Sequence, residues 1–280
     1  MIGPFSSKRT VTTAIGIAVV LIAAGIILIV STNTQKQESL ATPSPQTPYR
    51  TQEAIGTSVE GRAIERFTYG NGDTHLVFVG GIHGGYEYNS VLLAYEFIDY
   101  FNENIGTIPQ SMSVTIIPSL NPDGVEKGAG EAGRFNAHSV DLNRNFNCKW
   151  KPTSTWRSKT VSAGTAPFSE PEAAVLRDFV TKTKPTAVVF WHSQSNAVYA
   201  SECYNGILPK TLDSMRAYAQ AAGYPAVESF DAYPISGDAE GWLASIGIPA
   251  ITVELSTHET IEWEKNLAGV KALMDYHQTP

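Results

Sequence analysis

Apolar residues recur along this chain in three rhythms. The first is unbroken, because residues 14–30 are all apolar or glycine. In a helix rising about 1.5 Å per residue this run is about 25 Å long, and residues 11–13 extend it toward the ~30 Å of a bilayer core. The second rhythm is short and β-branched. The segments 76–80 (LVFVG), 114–118 (VTIIP), 187–191 (AVVFW) and 250–255 (AITVEL) are predicted to be buried strands. The third is helical. Val91, Leu92, Tyr95, Ile98 and Phe101 predict a helix over 88–101, and further helices are expected over 211–222, 238–244 and 259–274. Another starts at Ser169, where Glu172 three residues later completes a capping box and Pro171 fits the first turn.

Between these elements, residues 119–168 are rich in Gly, Asn, Asp and Ser and read as one long loop. A loop that long inside a domain is usually functional. Alternating strands and helices imply an α/β domain whose sheet has substantial parallel character and is covered on both faces. Ligands of such sheets sit beyond the carboxyl ends of the strands. His83, His192 and Glu254 fall at three such ends.

Charge and length divide the chain. Residues 1–10 read as a short cytoplasmic N-terminus and 11–31 as a transmembrane helix or signal anchor. Residues 32–50 form a Pro/Ser/Thr linker, and 51–280 one catalytic-sized domain. Lys8 and Arg9 precede the apolar run, which orients the domain outside the cytoplasm. Cleavage of the run as a signal peptide, giving a secreted protein, is the alternative. Beyond residue 35 the chain holds 18 basic against 27 acidic residues, which argues against a nucleic-acid partner. The two cysteines, Cys148 and Cys203, are too few for a cysteine-rich metal site. They form either one disulfide, which an extracytoplasmic location permits, or two buried thiols.

Several polar residues interrupt this pattern where chemistry would. His83 and Glu87 lie four apart at a strand-to-helix turn, so both can face one point, as metal ligands or as a hydrogen-bonded pair. His192, 105 residues beyond Glu87, supplies a distant third ligand and leaves a coordination position open. Glu254 places a carboxylate inside an apolar strand, which is costly unless it has a partner or a task such as accepting a proton. Arg134 and Arg144 suit oxyanion or carboxylate recognition, and Asp141 could orient a histidine ligand.

Together these segments resemble the zinc carboxypeptidases of the carboxypeptidase A type, in order, over residues 55–275. The resemblance rests on the segment Gly56 to Arg62, on His83 with Glu87, and on Asn121-Pro122-Asp123-Gly124. It continues through Asp141-Leu142-Asn143-Arg144-Asn145, Phe168 to Glu172, His192-Ser193, Tyr233-Pro234-Ile235-Ser236-Gly237 and Glu254-Leu255. It implies a single domain with a mixed, largely parallel sheet of about eight strands flanked by helices. It also implies one Zn2+ held by His83, Glu87 and His192, with Glu254 as general base acting on a zinc-activated water. Arg134 would polarise the carbonyl, Asp141 would support a ligand, and Asn143, Arg144 and Tyr233 would hold the terminal carboxylate.

Counting from the Tyr233 segment, Asp238 and Glu240 fall at the side-chain-selecting pocket, which would favour a basic terminal residue. The sequence departs from the family in one place that matters. Three residues, not two, separate His83 from Glu87, and Tyr86 stands where the glutamate is expected. The domain also looks short for the family, which implies synthesis as an active enzyme without a propeptide.

The implied activity is hydrolysis of the C-terminal peptide bond of peptides. The alternatives are a zinc amidase acting on cell-wall muropeptides or N-acyl amino acids, and a metal-free binding module on the same fold. Among the other histidines, His75, His138 and His277 read as structural, and His258 is a candidate to line the cleft.

Overall fold

Among the described residues, the apolar runs expected as strands become the centre of an eight-stranded sheet with a core on each face. A computed structural model of the protein describes residues 50–278. Its strands are β1 (Arg50–Thr57), β2 (Ala63–Gly70), β3 (Thr74–Val79), β4 (Met112–Ile117), β5 (Thr153–Trp156), β6 (Lys159–Ser162), β7 (Ala187–Ser193), β8 (Ala197–Ala200), β9 (Glu202–Cys203), β10 (Gly206–Ile207), β11 (Ala226–Val227) and β12 (Ala250–Leu255). The helices are α1 (Tyr88–Glu103), α2 (Pro122–Glu126), α3 (Pro171–Thr183), α4 (Pro209–Ala222), α5 (Ala239–Ser245) and α6 (Trp263–Gln278).

Eight strands form one mixed sheet in the order β1-β2-β4-β3-β7-β12-β8-β11. Its centre, β4-β3-β7-β12, is parallel throughout, while β2 and β8 join it antiparallel and β1 pairs antiparallel with β2. Successive side chains of the central strands feed opposite cores. Leu76, Phe78, Val189 and Trp191 pack with α1, α4 and α6, whereas Val77, Val79, Val188 and Phe190 pack with α3 and α5. Burial on both faces explains why these strands read as continuous apolar runs and not as alternating ones.

The helix at residue 171 starts differently from its sequence signal. Its N-cap position is Glu170, and no side chain caps the turn. Ser169 Oγ instead donates to Glu170 and accepts from the Thr165 N–H and from Asn145 Nδ2. Glu172 accepts from the Val59 N–H on the neighbouring strand connection, so tertiary partners took both halves of the expected capping box.

The last helix begins at Trp263, four residues later than expected. Glu262 holds a left-handed φ of 46° and accepts from both the N–H and the hydroxyl of Ser256, which keeps 259–262 out of the helix. The stretch 119–168 is not one loop either. It contains α2, 3₁₀ turns at Glu131–Arg134 and Leu142–Arg144, and the β5–β6 hairpin. The expected transmembrane helix over 11–31 lies outside the described residues. Among those described, no helix is long and apolar enough to cross a membrane.

Candidate active site

Three parallel strand ends and one glycine turn assemble the site. In the β7–β12 register His192 lies directly opposite Glu254, and Ser193 opposite Leu255. Strand parity turns His192, Glu254 and Thr252 toward one face. On the other side of β7, β3 ends at Val79 and the chain turns through Gly80 and Gly81 to His83. A 3₁₀ turn, Gly84–Glu87, then carries Glu87 back toward His83 before α1 begins at Tyr88.

Glycine is required in this turn. Gly84 has φ +47°, and a Cβ there would lie 2.6 Å from the Gly133 carbonyl oxygen. At Gly85 it would lie 2.5 Å from the Gly128 carbonyl oxygen. The backbone of 124–133 closes directly over the turn, leaving no room for a side chain. The extra residue in the His–Glu spacing is absorbed here. Tyr86 is turned out into the cleft, with its ring 5.3 Å from Trp156 and 4.9 Å from His258.

His83, Glu87 and His192 are all buried, and each offers a ligand atom within 4.8 Å of the others. The two imidazole centroids are 4.9 Å apart. His192 Nδ1 lies 3.0 Å from Glu87 Oε2, which also accepts from the Ser193 N–H at 3.2 Å. Arg134 reaches Glu87 Oε1 at 3.4 Å, donates to Asp141 Oδ2 at 2.9 Å, and stacks 4.6 Å above the Trp156 ring. His83 Nδ1 and Asp141 Oδ1 face each other at 3.5 Å, and both are buried without a hydrogen-bond partner.

The electrostatics fit a cation. Burial and Arg134 hold the His83 imidazole well below its ordinary range, so it stays a neutral donor. For His192, burial opposes the charge, but Glu87 and Glu240 outweigh it and push the ring up to about 10. Two buried carboxylates facing one imidazole thus attract positive charge to this point. Burial pushes Glu254 up to about 7, with Glu87 and Glu240 adding to the shift against the pull of His192 and Arg134. One imidazole nitrogen each from His83 and His192 and a Glu87 carboxylate oxygen form a donor set that suits zinc.

The same residues line a cleft of about 390 Å³. Every residue expected for substrate binding reaches it: Asn143, Arg144, Tyr233, Asp238 and Glu240. Their engagements differ. Arg144 donates to the Thr155 and Asn143 carbonyls, and Asn143 Oδ1 accepts from the Ala239 N–H at 2.8 Å. The Tyr233 ring packs 4.8 Å from Phe230. Asp238 caps α5 through the Gly241 N–H at 2.7 Å. Burial and Glu240 push its carboxyl up to about 6. Glu240 is turned to His192 Nε2 at 3.2 Å.

Cys148 and Cys203 form a disulfide, and Cys148 lines the cleft wall. Thr252, Trp156, Lys149 and Arg157 also line the cleft and were not expected. Thr252 had a signal, since it lies two residues before Glu254 on the same strand. Trp156 had none, because a hairpin inside a loop-like stretch brings it in. His258 donates to or accepts from Ser193 Oγ at 2.7 Å and packs on Tyr86. His138 pairs with Glu170 at the surface.

The zinc carboxypeptidase family matches this chain over residues 40–268. The chain belongs to that family. It is a hydrolytic metallopeptidase, and family members depend on zinc. Two relatives are similar to this chain. Gamma-D-glutamyl-L-diamino acid endopeptidase 1 of Lysinibacillus sphaericus is 22% identical over 240 residues, covering 72% of this chain and 60% of that protein. The match therefore spans less than two thirds of that relative's length. Murein peptide amidase A of Escherichia coli K12 is 28% identical over 197 residues, covering 63% of this chain and 76% of that protein. Among solved structures, a carboxypeptidase A from Helicoverpa armigera shares the fold with a TM-score of 0.66 at 21% identity, over 81% of this chain and 69% of that one.

Proposed function

We propose that this protein is a zinc metallocarboxypeptidase that removes the last residue of a peptide carrying a free C-terminal carboxylate. One observation carries the reading: Asn143, Arg144 and Tyr233 line the same cleft as the buried His83, Glu87 and His192 and the opposed Glu254. A carboxylate held at the first set places the last peptide bond against the second. His83, Glu87 and His192 would hold the metal. Zinc, when bound, supplies the Lewis acidity that activates water near neutral pH and draws charge from the scissile carbonyl.

The protein's own residues do the rest. Glu254 takes a proton from the attacking water and returns it to the leaving amine. Arg134, fixed by Asp141 and Trp156, supports the charge that develops on the carbonyl oxygen. Asp141 steadies His83 from behind. Arg144 and Asn143 grip the terminal carboxylate, and Tyr233 closes over it.

A cell-wall substrate is favoured as a second reading by the charge of the cleft. Asp238 lies on one wall, and Lys149 and Arg157 lie on its rim. That arrangement suits a terminal residue bearing both an amine and a carboxylate, such as a diamino acid. The disulfide supports an extracytoplasmic location, and the apolar run at 14–30 supports an N-terminal membrane anchor, with signal cleavage as its alternative.

A peptide-library digest with mass-spectrometric readout, run beside muropeptides and with and without chelator, tests the reading. Loss of single C-terminal residues, abolished by chelator and absent for C-terminal amides, is expected. Equal cleavage of amides and free acids would overturn it. Faster turnover of hippuryl-Phe than hippuryl-Arg would remove the role given to the acidic wall.

A further inference from the structure

Glu240 sits where a side-chain-selecting acid is expected, yet its carboxylate is already engaged. Glu240 is buried, with only 4% of its surface exposed. Its Oε1 lies 3.2 Å from His192 Nε2 and accepts from Thr252 Oγ1 at 3.1 Å. Its helix is anchored in turn. The N–H of Ala239, one residue earlier, donates to Asn143, and Asp238 caps the first turn of α5.

His192 is therefore held between two carboxylates. Its Nδ1 faces Glu87, on the side of the His83–Glu87–His192 cluster, and its Nε2 faces Glu240, on the opposite side. A neutral imidazole carries one N–H. If Nδ1 is to be free as a donor to a metal, the proton must sit on Nε2, and that N–H then needs a buried acceptor. Glu240 is that acceptor. A carboxylate in this role fixes the tautomer, fixes the ring plane and makes the nitrogen on the metal side more basic.

Thr252 keeps the acceptor in place. It lies two residues before Glu254 on the same strand face, so β12 supplies both the expected base and the hydroxyl that pins Glu240. We infer that Glu240 is a positioning residue for His192, tuning the metal site from behind, and that Thr252 holds Glu240 in register. This rests on the reading of His192 as a zinc ligand. It separates Glu240, paired with His192, from Asp238, which caps α5 while lining the cleft, and assigns recognition of a basic substrate side chain to Asp238.

Zinc affinity of the full chain, measured by competition with a chromophoric chelator, tests the inference. Glu240→Ala and Glu240→Asp, which remove or shorten the acceptor, are expected to weaken zinc binding about 10–100-fold. Glu240→Gln, which keeps an uncharged acceptor of the same size, should fall between them and the parent. Thr252→Val should weaken binding in the same direction by less. The melting temperature of the zinc-free protein should be preserved in Glu240→Gln, while its rise on adding zinc should shrink.

His192→Ala is the control that separates this inference from the reading beneath it. If His192→Ala binds zinc as tightly as the parent, the zinc-site reading fails. If His192→Ala loses zinc while Glu240→Ala and Glu240→Gln keep parental affinity, the positioning role is overturned. Loss of preference for hippuryl-Arg in Glu240→Gln at unchanged zinc affinity would overturn it as well, by returning Glu240 to the substrate pocket.

Discussion

Glu254 and His192 face each other across two parallel strands, and that single register contact brings the expected base beside an expected ligand. Burial lifts Glu254 to about 7, the range in which a carboxylate exchanges protons readily near neutral pH. Glu254→Gln keeps the shape and hydrogen-bonding reach but cannot accept a proton. Its kcat is expected to fall about 10²–10⁴-fold, with zinc content unchanged. Steady-state kinetics together with metal analysis check this, and a variant retaining more than a tenth of the parental kcat would rule Glu254 out as the base. At this scale the residue types were legible, since a glutamate in an apolar strand and histidines at strand ends stand out against their neighbours. The partners of those residues were not, because Glu240 meets His192, and Thr252 meets Glu240, only once α5 and β12 are in place.

At the scale of elements, two devices hold the cleft walls. The Gly84–Glu87 turn packs under the 124–133 backbone and sets the direction of Glu87. The Cys148–Cys203 bridge ties the segment after Asn145 to the β9–β10 hairpin across a separation of 55 residues. Closing a loop of that size restricts the unfolded chain, so replacing both cysteines by serine is expected to cost about 2–4 kcal/mol of stability. Urea denaturation of the double variant beside the parent measures it, and an unchanged midpoint would show that the bridge adds nothing to stability.

Strands β3, β4, β7 and β12 and helix α1 were legible because apolar period and length are local properties of the chain. The start of α3 and the start of α6 were not. Each depended on a partner that had to arrive from elsewhere, Val59 and Asn145 for one and Ser256 for the other.

Across the whole molecule, two half-buried histidines far from the cleft make stability depend on pH. Burial, with Arg66 nearby, pushes His75 down to about 4, and its Nε2 lies 2.8 Å from Thr115 Oγ1. Burial, with Lys210 nearby, pushes His277 down to about 4 as well. Both rings are neutral in the fold and take up protons more readily when unfolded, where the ordinary value is near 6.5. Their contribution is complete above pH 6.5 and is lost as pH falls from 6.5 toward 4. A His75→Gln, His277→Gln variant should therefore lose less stability than the parent over that interval. The difference should be about 2 kcal/mol, less than the full shifts would give because both rings keep some solvent contact. Melting temperatures from pH 7.5 to 4.5 check this, and parallel curves for the two proteins would refute it.

The sequence by itself determined the apolar central strands and the flanking helix α1, and it singled out the side chains that are candidates for chemistry. Those choices follow from sterics and burial over a few neighbouring residues, and they were enough to place His83, Glu87, His192 and Glu254 at one end of an α/β sheet. Only the tertiary structure decided which groups touch: His192 between Glu87 and Glu240, Asp141 behind His83, and Arg134 stacked on Trp156. Such contacts join residues up to 105 positions apart, so they depend on the strand order and register of the folded sheet. No local pattern along the chain encodes that arrangement.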